Sequence, residues 1–113
     1  MDANAQLSRS DADALPGATL LEFGATWCGV CRATAPIIRD ALAGHPGVRH
    51  LRIEDGPGRP LGRSFGVRLW PTLVFLRDGR ETARLVRPRD VGSISAALAA
   101  IDTPVAATDT ASR

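Results

Sequence analysis

The stretch Trp27-Cys28-Gly29-Val30-Cys31 decides how this chain is read. Before it lies a short apolar run, Thr19-Leu20-Leu21-Glu22-Phe23, and after it a helical pattern that continues to about Ala43. Cys28 and Cys31 are the only two cysteines in the 113 residues. If Cys28 opens a helix, residues three apart share a face, and both sulfurs lie within one turn. A helix start carries partial positive charge and free N–H groups, which favour a thiolate over a thiol. A C-x-x-C pair beside a strand–helix unit therefore reads as a redox motif.

Outward from that stretch the periodicities define the remaining elements. Between Gly29 and Ala43 the apolar residues Ala33, Ile37, Ile38, Ala41 and Leu42 recur at three and four, leaving Arg32, Arg39 and Asp40 for water. Pro36 should kink this helix without ending it, and Gly44-His45-Pro46-Gly47 should stop it. Upstream, Ser8 to Leu15 reads as a short helix capped by Ser8 or Ser10 and closed by Pro16-Gly17. Downstream, Val48, His50 and Leu51 to Ile53 read as a strand, Glu54 to Pro60 as a loop, and Leu61 to Phe65 as a short helix closed by Gly66. Thr72-Leu73-Val74-Phe75-Leu76 is an unbroken apolar run suited to a buried central strand. Asp78-Gly79 predicts a hairpin into Glu81 to Val86, and Asp90 or Ser93 can cap a last helix through Ile94, Ala97, Leu98 and Ile101. The order predicts an α/β domain with a central mixed sheet and helices on both faces. We expect one domain over residues 8–101, between a flexible stretch 1–7 and a flexible tail 102–113.

Composition excludes several classes. The net charge is +2, and all 14 basic residues are arginine, scattered among 12 acids. Phe and Trp do not interleave with them as a nucleic-acid stacking platform requires. No run approaches the roughly 18 apolar residues of a membrane span. Met1-Asp2-Ala3-Asn4-Ala5-Gln6 has neither a basic start nor an apolar run, so a cytoplasmic location is expected. There a lone cysteine pair is catalytic or metal-binding more often than a staple.

With Trp27-Cys28-Gly29-Val30-Cys31, Pro36 and Trp70-Pro71-Thr72 all in view, residues 8–101 resemble the thioredoxin family. The resemblance implies a thioredoxin-like fold and a thiol–disulfide oxidoreductase. It makes Cys28 the exposed attacking thiol and Cys31 the buried resolving thiol, and puts a cis bond before Pro71, placed against Cys28. Glu22 falls where a buried aspartate usually sits beneath the resolving cysteine. Residues 27–30 and 66–72, with Trp27, Gly29, Val30 and Trp70 among them, would form the surface on which partner proteins dock. The redox-active Cys28–Cys31 disulfide would serve in place of any cofactor. Disulfide-containing proteins would be the partners, a flavin-dependent thioredoxin reductase would recharge the pair, and the chain would act as a monomer.

A thiolate at Cys28 attacks a substrate disulfide, and Cys31 then attacks the mixed disulfide. Cys31 needs a base, and Glu22, in an apolar strand, should have a raised pKa that suits the task. The backbone of Trp70 can pair with an extended substrate segment. Four residues depart from the family pattern, and the first is Glu22, one methylene longer than the usual aspartate. Val30 replaces the proline usual in the reductases, which favours a somewhat more oxidising couple. His50 stands where a lysine usually pairs with the acid, and can titrate near neutrality. Arg87 stands where glycine is usual. Two rival readings remain. Cys28-x2-Cys31-x13-His45-x4-His50 nearly meets the spacing of a two-Cys, two-His zinc site, but Pro46-Gly47 breaks the helix such a site needs. A thioredoxin-like adaptor or chaperone would keep the fold and bind partners without redox turnover.

Overall fold

The computed structural model describes residues 7–102. Of the flexible stretch expected at 1–7 and the tail expected at 102–113, residues 1–6 and 103–113 lie outside the described residues. Leu7, just inside, packs against the core.

The elements run α1 (Arg9–Asp13), β1 (Ala18–Gly24), α2 (Gly29–Ala43), β2 (Arg49–Glu54), α3 (Pro60–Ser64), β3 (Thr72–Arg77), β4 (Arg80–Val86) and α4 (Val91–Asp102). The sheet order is β2-β1-β3-β4. β1 and β2 are parallel; β1–β3 and β3–β4 are antiparallel. The two centre strands are therefore β1 and β3, whose near-continuous apolar runs need cover on both faces.

Alternation along those strands sorts the core into two layers. Leu20, Leu73 and Phe75 point to one face, where Ile38 and Ala41 of α2 and Ile94, Leu98 and Ile101 of α4 cover them. Leu21, Phe23, Val74 and Leu76 point to the other, under Ala12 of α1, Leu61 of α3 and Phe65 just after it. Each buried Leu, Ile, Val or Phe among them contributes about 1.5–3 kcal/mol relative to exposure.

Ser8 caps α1, with Asp11 completing a reciprocal capping box. Helix α2 continues through Pro36. Its buried face differs from the expected one: Ala33 is exposed and Thr34 is buried. The Thr34 hydroxyl donates to the Val30 carbonyl at 2.8 Å, so its burial leaves no unpaired polar group. Two boundaries also moved. Glu54 extends β2 because it pairs with Gly24, and Asp55 N–H continues the ladder to the Gly24 carbonyl at 2.8 Å. Pro60 opens α3, a first-turn position that needs no N–H donor, and Phe65 becomes the residue after the helix. The Asp78-Gly79 turn has positive φ at both residues, +51° and +81°, as a tight hairpin demands. Asp90 caps α4, its carboxylate accepting the Ser93 N–H at 2.7 Å.

Candidate active site

β1 delivers the chain to the site, and its alternation decides what lies there. Leu21 and Phe23 point to the α1/α3 side, so Leu20 and Glu22 point to the side covered by α2. Gly24-Ala25-Thr26-Trp27 then turns the chain into α2, with Cys28 as its N-cap. The Cys28 sulfur accepts the Cys31 backbone N–H at 3.1 Å, so it takes the part that a Ser or Asp oxygen plays at other helix starts. Both cysteines are free thiols, and both are buried, Cys28 at 7% exposure and Cys31 at 8%, so the exposed thiol expected at Cys28 is instead covered.

The two sulfurs are driven in opposite directions. Burial pushes the Cys28 thiol up, but other effects outweigh it. These are a hydrogen bond from the Cys31 side chain, N–H groups of Cys31 and Val30, and the charge of Arg87, which together hold Cys28 below the ordinary thiol range. Burial and the hydrogen bond that Cys31 gives to Cys28 push Cys31 up to about 11, against an N–H from Ala25 and with help from the negative charges of Cys28 and Glu22. One sulfur is ready to attack; the other holds its proton.

Glu22 is buried, with a side-chain exposure of 8%. Its Oε1 lies 2.7 Å from His50 Nε2. The register explains the meeting: His50 of β2 lies beside Leu20 of β1, on the face where Glu22 is the next residue along. His45, the other histidine of the zinc spacing, bonds to Asp102 at 3.0 Å instead. Among the described residues, no three His, Cys, Asp or Glu side chains gather as a metal site.

The opposite wall comes from the loop before β3. The Trp70–Pro71 bond is cis. Trp70 packs against Ala25, Cys28 and Cys31, and its ring meets Trp27 edge-on at 5.3 Å between centroids. Trp27 is 69% exposed; with Val30 and Leu69, also exposed, it makes an apolar collar beside the buried sulfurs. A Cβ at Gly29 would meet nothing within 4 Å, so glycine there leaves the flank of Cys28 open rather than relieving a clash.

Three residues of the site were not assigned their parts from the sequence. A Cβ at Gly24 would sit 2.7 Å from the Cys31 sulfur, so only glycine lets that sulfur lie against β1. The signal was available, since a glycine ending a strand marks close approach. Asp55 accepts the Trp70 indole N–H at 2.8 Å, and a Cβ at Gly62 would collide with its carboxylate. Arg87 donates its Nε to the Trp70 carbonyl at 2.7 Å and its backbone N–H to the Pro71 carbonyl at 2.9 Å. Its φ of +52° is the conformation glycine adopts freely. No one-sequence pattern announces the last two contacts.

The fold and the dithiol define a protein of the thioredoxin class. A family model described as Thioredoxin matches residues 9–100. The chain belongs to the thioredoxin family. The thioredoxin of Chlamydia muridarum (strain MoPn / Nigg) is 37% identical over 79 residues, covering 69% of this chain and 76% of that protein. The solved structure of thioredoxin 2 from Pseudomonas aeruginosa PAO1 in its reduced form has 50% identity and a TM-score of 0.79, over 89% of this chain and 93% of that one. Protein disulfide-isomerase A2 of Pongo abelii is 48% identical over 69 residues, but the match spans only 13% of that protein, and 53% of a tobacco H-type thioredoxin is covered.

Proposed function

We propose that this chain is a thiol–disulfide oxidoreductase that reduces disulfides in other proteins. The observation that carries the reading is the opposed pair of sulfurs: Cys28 held below the ordinary thiol range at a helix start, Cys31 held up to about 11 one turn later. Cys28 thiolate attacks one sulfur of the substrate disulfide, and the other leaves as a thiolate. Cys31 loses its proton to Glu22, whose carboxylate is linked through His50 toward the surface. The Cys31 thiolate then attacks the Cys28 sulfur, and the second substrate sulfur departs. Two electrons pass to the substrate, and a Cys28–Cys31 disulfide remains. Trp27, Gly29, Val30 and the Trp70-Pro71 backbone form the docking wall, with residues 8–101 as the working unit.

The redox pair itself is the only prosthetic chemistry the reading requires. A flavin-dependent thioredoxin reductase in the cytoplasm regenerates the dithiol, and the chain acts as a monomer. No helix among the described residues is long and apolar enough to cross a membrane.

Reduction of insulin disulfides tests this. Wild type is active, Cys28→Ser is inactive, and Cys31→Ser accumulates mixed disulfides. Equal behaviour of all three would favour an adaptor that binds partners without turnover.

A further inference from the structure

The chain's 14 arginines differ in how their side chains are occupied. Arg9, Arg32, Arg49, Arg77, Arg84 and Arg87 each spend their guanidinium on a carbonyl, hydroxyl or carboxylate of the protein. Arg39, Arg52, Arg59, Arg63, Arg68, Arg80 and Arg89 have no side-chain hydrogen bond or ion pair among the described residues, and of these Arg59, Arg63 and Arg68 stand together. All three are exposed, and all three line one hollow of about 200 Å³ beside Trp70, with Asp55 as its acidic member. That carboxylate is already occupied by the Trp70 indole N–H. Between Gly56 and Trp70 the chain has these three arginines and no acid.

The hollow continues the docking wall. Trp70 is one of its sides and is also the residue packed against the dithiol and Trp27. Whatever contacts the collar at Trp27 and Trp70 extends next over Arg59, Arg63 and Arg68. The volume is below the roughly 300–1,000 Å³ of pockets that enclose small molecules. It is open and shallow, the shape for a flank of polypeptide. Three guanidiniums without a partner among the described residues can give paired N–H donors to carboxylates.

We propose that this hollow is a specificity site for the substrate protein: it receives acidic side chains that flank the disulfide presented to Cys28. The inference rests on the oxidoreductase reading and names the substrate class for it. Three exposed arginines select by on-rate and local concentration more than by tight binding, because solvent screens each pair.

Reduced protein is mixed with two disulfide-linked peptides that differ only in three Asp or three Asn beside the cysteine, and its oxidation is followed in a single turnover. Wild type should prefer the acidic peptide about tenfold, or about 1.4 kcal/mol. The preference should fade as salt rises from about 20 mM to about 0.3 M, where the Debye length is under 8 Å. Arg59→Gln, Arg63→Gln and Arg68→Gln combined should remove it, and the same three changed to Lys should keep most of it. Turnover of both peptides at equal rates by wild type, or an unchanged preference in the Gln variant, would overturn the inference and leave the oxidoreductase reading intact. A single-stranded oligonucleotide blocking both peptides, with no acidic preference, would reassign the hollow to polynucleotide. Turnover of neither peptide would overturn both.

Discussion

Two histidine–carboxylate pairs in this molecule look alike and are placed for different work. His50 and Glu22 meet at 2.7 Å; His45 and Asp102 meet at 3.0 Å. The first carboxylate is inside, at 8% exposure, on the strand face against which Cys31 lies; the second is 31% exposed. Glu22 adds to the charge that keeps the Cys31 proton in place, whereas Asp102 lies at the far end of the sheet from both thiols. Asp102 closes α4, where a negative charge opposes the helix dipole, and His45 in the turn before β2 bonds to its carboxylate. Since β1 and β2 run parallel, that turn is at the end of the sheet away from the dithiol. In the proposed mechanism the first pair moves a proton, while the second ties the end of α4 to the turn before β2.

The largest expected effect separates the pairs. Glu22→Gln removes the carboxylate that takes the Cys31 proton in the proposed mechanism, and the resolving step should slow about 10²-fold at neutral pH even though a charge that raises the Cys31 pKa is lost. Rapid-quench detection of the mixed disulfide measures that step. If Glu22→Gln and Asp102→Asn slowed it equally, the contrast between the pairs would be broken.

Much of this was legible from the residues, and the exceptions share a cause. The C-x-x-C pair, the apolar run of β3 and the Asp78-Gly79 turn each carry their instruction within a few residues. Local chemistry of that kind needs no partner to be understood. The shift from Ala33 to Thr34 on the buried face of α2 was hidden because a buried threonine is satisfied by a carbonyl one turn back. Glu22 and His50 were each visible, but their meeting depends on the parallel register of β1 and β2. Asp55 to Trp70 and Arg87 to the Trp70 carbonyl join residues 15 and 17 apart in sequence, and no periodicity reports such a contact.

Two glycines at the dithiol offer a second contrast. A Cβ at Gly24 would lie 2.7 Å from the Cys31 sulfur, while one at Gly29 would meet nothing. Gly24→Ala should cost about 1–3 kcal/mol by overpacking and prolong the mixed disulfide. Gly29→Ala, at the first helical position, should leave stability equal or raised by about 0.5–1 kcal/mol. Denaturant titration of the reduced proteins reads both, and a loss at Gly29 matching that at Gly24 would mean that backbone freedom, not the sulfur, sets the requirement.

The anchoring pair comes next in size. Asp102→Asn or His45→Gln should lower stability by about 1 kcal/mol and leave insulin reduction at the wild-type rate. A fall in turnover without a fall in stability would assign this pair to the chemistry as well.

The smallest expected effect concerns the groups that favour the Cys28 thiolate. The Cys31 side chain gives it a hydrogen bond, and Arg87 contributes only its charge, the weakest of the causes. Removing a group that favours the charged form raises the pKa, so at a fixed pH below the midpoint the thiolate fraction falls and alkylation slows. Cys31→Ala should therefore move the pH midpoint of Cys28 alkylation by iodoacetamide upward toward the ordinary thiol value. Arg87→Gly should move it in the same direction by less. Glycine accepts φ of +52° and keeps the backbone N–H that holds the Pro71 carbonyl, so the cis-proline loop stays anchored while the Trp70 carbonyl loses its side-chain donor. A shift in Arg87→Gly as large as that in Cys31→Ala would make Arg87, and not the neighbouring thiol, the main support of the attacking sulfur.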